Sequence, residues 1–290
     1  MVFRGRILLG SVLAAFFTAL SMTANHYQIT YYVVMLFVII GVVKFIEAFK
    51  EKQLQSFFKK VVFLIFAGTL GVFTTFTSML VTTEYGAESM RGESELTIEK
   101  ENKTSGLDKN YATQWSYGKA ETFTLLIPNF HGGASQGELS TDSETYQAIK
   151  QSPQARSLIK QLPLYWGSQP FTSGPVYAGS IVCFLFVLGL FFIKGYARIW
   201  ILISLVLMLF LSWGKNFMPL TDFFLDYIPG YNKFRAVSTT LVIVELLLPL
   251  VAFLGLHKIL ESQNKQESLK AIKNSFFVVG GICLIFALLP

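Results

Sequence analysis

Uninterrupted apolar runs of about twenty residues recur along this chain, and few physical environments accept such runs. A helix of that length matches the ~30 Å hydrocarbon core of a bilayer. Of 290 residues, 52% are hydrophobic, 14% are charged and 28 are phenylalanine. A soluble chain of this size could bury a large core without gathering its apolar residues into runs near twenty. The expected fold is therefore an all-α polytopic membrane protein.

In chain order, the first span is expected over Ile7–Ala24, preceded by Arg4 and Arg6. A turn at Asn25-His26-Tyr27-Gln28 leads into a second span ending near Ala48, and Lys50–Lys60 reads as a basic loop. A third span covers Val61–Thr83, where Gly68 and Gly71 permit close helix contact. Further spans follow at Val176–Ile193, Ile199–Trp213 and Val237–Leu256, and one starts near Ser275. That makes about seven crossings in all. The chain divides into a first membrane part (1–83), a polar, mixed and loop-rich insertion (84–174) and a second membrane part (175–290). The first run is followed at once by another, so it does not read as a cleavable signal peptide.

Charge sets the expected orientation. The insertion carries eleven acids against eight bases, net −3, while the chain as a whole is +6, leaving +9 for the remainder. Short loops rich in Lys and Arg stay in the cytoplasm. This rule puts the N-terminus, Lys50–Lys60, Lys194–Arg198 and Lys258–Lys273 inside. Alternation then places Asn25–Gln28, the insertion 84–174 and Gly214–Arg235 together on the extracytoplasmic side. The basic balance thus reflects topology, and no nucleic-acid partner is implied. Cys183 and Cys283 lie within apolar runs and read as small hydrophobes, not as a disulfide or metal pair.

Within the insertion, Thr141 and Glu144 fit a capping box, with Asp142 favourable in the first turn. Ser152-Pro153 resembles an N-cap with proline at the first helical position, for a helix that stops before Pro163. Pro128–Gly133 reads as a loop whose glycines supply unusual backbone angles. In 214–235, Leu220, Phe223, Phe224 and Tyr227 share one helical face and Asp222 and Asp226 another, as in a short interfacial helix.

Few residues carry legible chemistry. Glu245, placed near the middle of the sixth span, is either a proton relay or cavity ligand, or a hydrogen-bonded glutamate joining helices. His26 could bind phosphate or move a proton, but its tyrosine-rich neighbourhood favours a plain interfacial role. Lys233 and Arg235 stand where the positive-inside bias disfavours bases. Binding a lipid phosphate would explain them, and pairing with Asp222 or Asp226 is the structural alternative. Trp115 and Trp166-Gly167-Ser168-Gln169 mix rings with hydrogen-bonding groups, which suits sugars as well as loop anchoring at the membrane surface. Three scattered histidines give no metal cluster, and no nucleotide-binding glycine loop follows a strand. No cofactor is identifiable.

Several stretches together carry a resemblance. They are Thr82-Thr83-Glu84-Tyr85 through Arg91-Gly92, Gly106-Leu107-Asp108, Tyr111 through Gly118, Glu121 through Phe130, Tyr165 through Tyr177, Trp213 through Phe217, and Tyr231-Asn232-Lys233-Phe234-Arg235. With these, the chain resembles the YfhO family of bacterial multi-pass membrane proteins, in its Bacteroidetes form. The resemblance implies a GT-C-type glycosyltransferase of the bacterial inner membrane. Such an enzyme moves a sugar from a polyprenyl-phosphate donor to an extracytoplasmic glycan or glycolipid acceptor. It implies that Lys233, Arg235 and His26 hold lipid phosphate, and that Arg91, Trp115, Tyr165, Trp166 and Gln169 hold sugar or acceptor. Glu84 and Glu121 become the candidate catalytic acids, and a divalent metal is compatible with the chemistry though no ligand set supports it. By the same resemblance the chain is expected to be an internal fragment or a truncated product, lacking an earlier loop that carries the family's acid. Two other classes fit the residues: a transporter or flippase for a lipid-linked substrate, and a non-catalytic scaffold for the cell envelope.

Overall fold

The computed structural model describes residues 1–89, 91–92 and 103–288. It is 70% helical, and among the described residues there is no strand, only isolated bridges. Among the described residues, five helices are long and apolar enough to cross a membrane: α2 (Tyr27–Lys50), α3 (Leu54–Phe73), α9 (Gly195–Ser212), the segment Val237–Glu261 containing α11 (Leu241–Glu261), and α12 (Lys265–Leu288). Two apolar helices are shorter, α1 (Ile7–Thr23) and α8 (Ser180–Phe192). The remaining helices are α4 (Phe76–Ala87), α5 (Lys109–Ala112), α6 (Glu144–Ile149), α7 (Ala155–Leu158) and α10 (Met218–Tyr227).

The long helices form a row. α12 packs on α8, α8 on α11, α11 on α9 and α9 on α2, while α1 and α3 pair beside α2. The core lies where α2, α9 and α11 meet the polar segment, around Met208, Leu211, Leu225, Val244 and Val251. Away from it the helices are apolar all round: only 17% of the α2 span is buried, and Phe16, Phe37 and Phe66 are exposed. In water such faces would cost about 25 cal/mol per Å² of apolar surface; hydrocarbon removes that cost, which is why the row reads as a membrane body.

Two close helix crossings depend on glycine. A Cβ on Gly71 would lie 2.6 Å from Thr18 Cβ, which fixes the α1–α3 contact. Gly68, expected to share this role, has nothing within 4 Å and faces open space. At the α8–α11 crossing, a Cβ on Gly255 would lie 2.5 Å from the Cα of Gly189. Backbone touches backbone there.

Several boundaries differ from the sequence reading, each for a local reason. The third span starts at Leu54 because Lys59 and Lys60 lie on α3 itself, so the basic loop shrinks to 51–53. It breaks at Thr74 and Thr75, whose hydroxyls donate to the Gly71 and Val72 carbonyls and compete with the helix. Most of Lys258–Lys273 is helical too, with its turn at 262–264. The cap of α6 is Ser143, whose Oγ accepts from Tyr146 N at 3.2 Å, not Thr141. Ser152 closes only a turn, and α7 begins two residues beyond Pro153. Gly132 does take a left-handed φ of 82° in the loop that begins at Pro128.

Helix directions sort the connections to two ends. At one end, Phe3 packs against Phe57 with ring centres 6.1 Å apart and Lys194 pairs with Glu267 at 3.6 Å, gathering the basic segments. At the other, Tyr31 at the start of α2 donates to Pro229 O at 2.9 Å, and Tyr117 N donates to Ser212 O at 2.8 Å. Phe286, near the end of α12, packs on Phe123 and Phe130 at 4.6 and 4.8 Å. The turn around His26, the polar segment and 214–235 therefore share one end of the row, as alternation requires.

Candidate functional site

The polar end is built around a carboxylate. Glu121 sits in the 3-10 turn Ala120–Leu125 and is 4% exposed. Its Oε2 accepts from Gly118 N at 2.8 Å; its Oε1 accepts from Tyr165 Oη at 2.8 Å and Gln169 Nε2 at 3.3 Å. A buried carboxylate is costly unless such donors replace its water. Gln169 Oε1 in turn accepts from Ser238 Oγ at 3.4 Å, which links the loop to the entry of the α11 span. Gly118 sits close to this group: a Cβ would lie 3.1 Å from Glu121 Cβ, and a side chain there would require the Glu121 side chain to give by a few tenths of an ångström.

Burial and then the Glu121 carboxylate push the Tyr165 phenol up to about 12, against the Gln169 N–H, which stabilises the phenolate. A group with a raised folded pKa favours folding while it stays protonated, so this contribution is present below the ordinary phenol value near 10 and is lost as pH rises towards 12. We expect the phenolate absorbance that disappears in Tyr165→Phe to titrate at about 12, and Glu121→Gln to lower that midpoint. A midpoint at the ordinary value would contradict this geometry.

Beside the carboxylate lies a second arrangement. Arg235 is exposed, its guanidinium carbon 5.7 Å from the Trp115 ring centre and 5.9 Å from that of Tyr111. One N–H donates to Tyr111 Oη at 2.9 Å. Among the described residues no carboxylate pairs with Arg235. Trp115 is itself braced, with Nε1 donating to Phe171 O at 3.2 Å and its ring edge-on to Phe171 at 5.1 Å. The backbone below is held by Gln28, whose Nε2 donates to Arg235 O at 2.6 Å. Ala236 takes a left-handed φ of 59°, a strained setting for a residue with a Cβ.

The other expected site residues scatter. Lys233 Nζ donates to the Arg91 and Ser105 carbonyls at 2.9 and 2.6 Å, so it closes a loop beside the site. It does not pair with Asp222 or Asp226, nor does Arg235; Lys109 takes both, at 2.8 and 3.1 Å. Burial alone would lower the Lys109 pKa, but these two carboxylates raise it on balance. His26 is exposed at the start of α2 and its side chain makes no capping bond. Trp166 is 80% exposed, its backbone N–H donating to His131 O. Glu84 and Arg91 are exposed, and among the described residues no side-chain hydrogen bond or ion pair joins either of them to Glu121.

Glu245 is not at mid-span. It lies in the second turn of α11, towards the polar end, and Pro249 leaves its carbonyl without the usual helical donor. The Tyr117 phenol is raised first by burial, then by the charge of Glu121, with a smaller contribution from Glu245. Tyr117 Oη and Thr124 Oγ1 lie close enough to influence each other, yet neither makes a well-formed hydrogen bond among the described residues. The described residues contain no group of three or more His, Cys, Asp or Glu side chains able to hold a metal. Sequence reading missed Tyr111, Gln28 and Ser238 as site partners; Gln28 and Ser238 signal themselves only as polar residues where apolar runs begin.

What this end can do chemically is hold an anion on Arg235 beside two ring faces, next to a rigid Glu121–Tyr165–Gln169 wall. Glu121 already accepts three hydrogen bonds, so its role in the structure is to position Tyr165 and Gln169. Comparison with protein-family models, with curated proteins and with solved structures gave no match for this chain.

Proposed function

We propose that this is a seven-crossing protein of a bacterial inner membrane, with its N-terminus cytoplasmic. In this reading its polar end binds the phosphate-bearing head of a lipid-linked sugar for transfer to an extracytoplasmic glycan or glycolipid acceptor. One observation carries the reading: Arg235, exposed where the polar segment enters the α11 span, is held over Trp115 and Tyr111 with no carboxylate partner among the described residues. Guanidinium matches phosphate bidentately, and the rings offer a face to a sugar or to the first carbons of the lipid. Gln169 and Tyr165 form the adjoining polar wall, with Glu121 as positioning residue. The helix directions described above, with basic segments at the opposite end, support the orientation.

Binding of a short-chain polyprenyl phosphate to the protein in nanodiscs tests the reading, together with transfer of labelled sugar from polyprenyl-phosphate donors. Arg235→Ala is expected to weaken binding about tenfold, the effect of one charge-assisted hydrogen bond. Unchanged binding in that variant, or no binding with folded protein and several donors, would overturn it. The second reading, transport of a lipid-linked substrate, draws on Glu245, a carboxylate at membrane depth. It predicts proton-coupled flux abolished in Glu245→Gln, with no glycosidic bond formed.

A further inference from the structure

We propose that the crevice between α9 and α10 seats one acyl chain of an anionic phospholipid, whose phosphate rests on Lys119. The crevice is shallow and wide open along one side, with a volume of about 840 Å³. Leu202, Val206 and Phe210 of α9 form one wall; Phe217, Leu220 and Phe223 form the other. It covers only the part of α9 nearest the polar end. Lys119 lies at that end, exposed, with its ammonium 5.8 Å from the centre of the Phe217 ring. Lys215 is exposed in the same 3-10 turn as Phe217. Among the described residues neither lysine has a carboxylate partner. An apolar crevice with these two unpaired lysines at its polar end is complementary to an amphiphile with an anionic head; Arg198, one turn before Leu202, lies at the opposite end of α9. A partner helix would call for apolar contact along the whole span. The site is separate from Arg235 and does not depend on its role.

Trp213 reports on the crevice, because its ring stacks on Phe210 at 4.6 Å. The protein carrying Trp115→Phe, Trp166→Phe and Trp200→Phe would be placed in phosphatidylcholine vesicles containing either brominated phosphatidylglycerol or brominated phosphatidylcholine at equal mole fraction. At low salt, quenching of Trp213 by the anionic lipid is expected to be at least about threefold stronger. Lys119→Ala, at an exposed position, should remove most of that preference. Val206→Phe, which fills the slot, should weaken quenching by both lipids. Equal quenching by the two lipids, or a preference unchanged in Lys119→Ala, overturns the proposal. So does a particle mass matching two copies that Val206→Phe halves, since a second chain would then occupy the slot.

Discussion

Gly255→Val is expected to eliminate most of the folded protein, whereas Gly281→Val should leave it intact. At Gly255 the added Cβ would lie 2.5 Å from Gly189 Cα and 2.7 Å from Gly189 N, and both are main-chain atoms. No rotamer change relieves that contact, so α8 and α11 must separate. Gly189 itself faces the Val251 carbonyl, so both sides of the crossing are closed to side chains. Overpacking of this kind costs about 3 kcal/mol or more, a large part of the stability of most domains. Gly281 has nothing within 4 Å, and valine there meets open space. Monodisperse yield on size exclusion and the thermal midpoint in detergent compare the two directly. Equal behaviour of both variants would mean that α8 and α11 do not cross at these glycines.

Glu121→Ala is the second large effect, at about 2–4 kcal/mol of destabilisation, because it leaves three donors around a buried hole. Gly118 N, Tyr165 Oη and Gln169 Nε2 would all lose their acceptor at once. Glu121→Gln should cost less, about 1 kcal/mol, since an amide keeps one acceptor and the Tyr165 hydroxyl can rotate to accept instead. The ordering Ala worse than Gln, read from thermal unfolding, is the diagnostic. If both variants unfold like the parent, the carboxylate is not the centre of this wall. Loss of anion binding in folded Glu121→Gln, without loss of stability, would instead give Glu121 a direct part in the chemistry.

Much of the membrane body is legible in the chain. α1 and α2 start and stop within two residues of where the apolar runs and the Asn25–Gln28 turn place them. The helix at 218–227 follows from the spacing of Leu220, Phe223, Phe224 and Tyr227. Errors concentrate where polar residues continue a helix. Lys59 and Lys60 look like a loop because charge is read as a boundary, yet both continue α3, in its second turn. Caps slipped for a related reason: Thr141, Ser143 and Ser152 all have the right oxygen, and only backbone angle decides which one closes a helix.

The candidate site was legible in part. Arg235 stands out locally, a base immediately before an apolar run, whereas Trp115 reads only as a ring among hydrogen-bonding groups within the polar insertion. Their relation to each other, and to Tyr111, does not stand out, because 120 residues separate Trp115 from Arg235.

The sequence by itself determined that the chain is helical, that several of its apolar stretches are long enough to cross a bilayer, and which connections share an end. Those properties follow from local composition and from the length of a helix against a bilayer. Only the tertiary structure decided which ionisable groups are partnered: Lys109 for Asp222 and Asp226, backbone carbonyls for Lys233, three donors for Glu121, two rings and a hydroxyl for Arg235. Such pairings depend on distances of a few ångströms between segments far apart in the chain, and neither periodicity nor charge run encodes a distance.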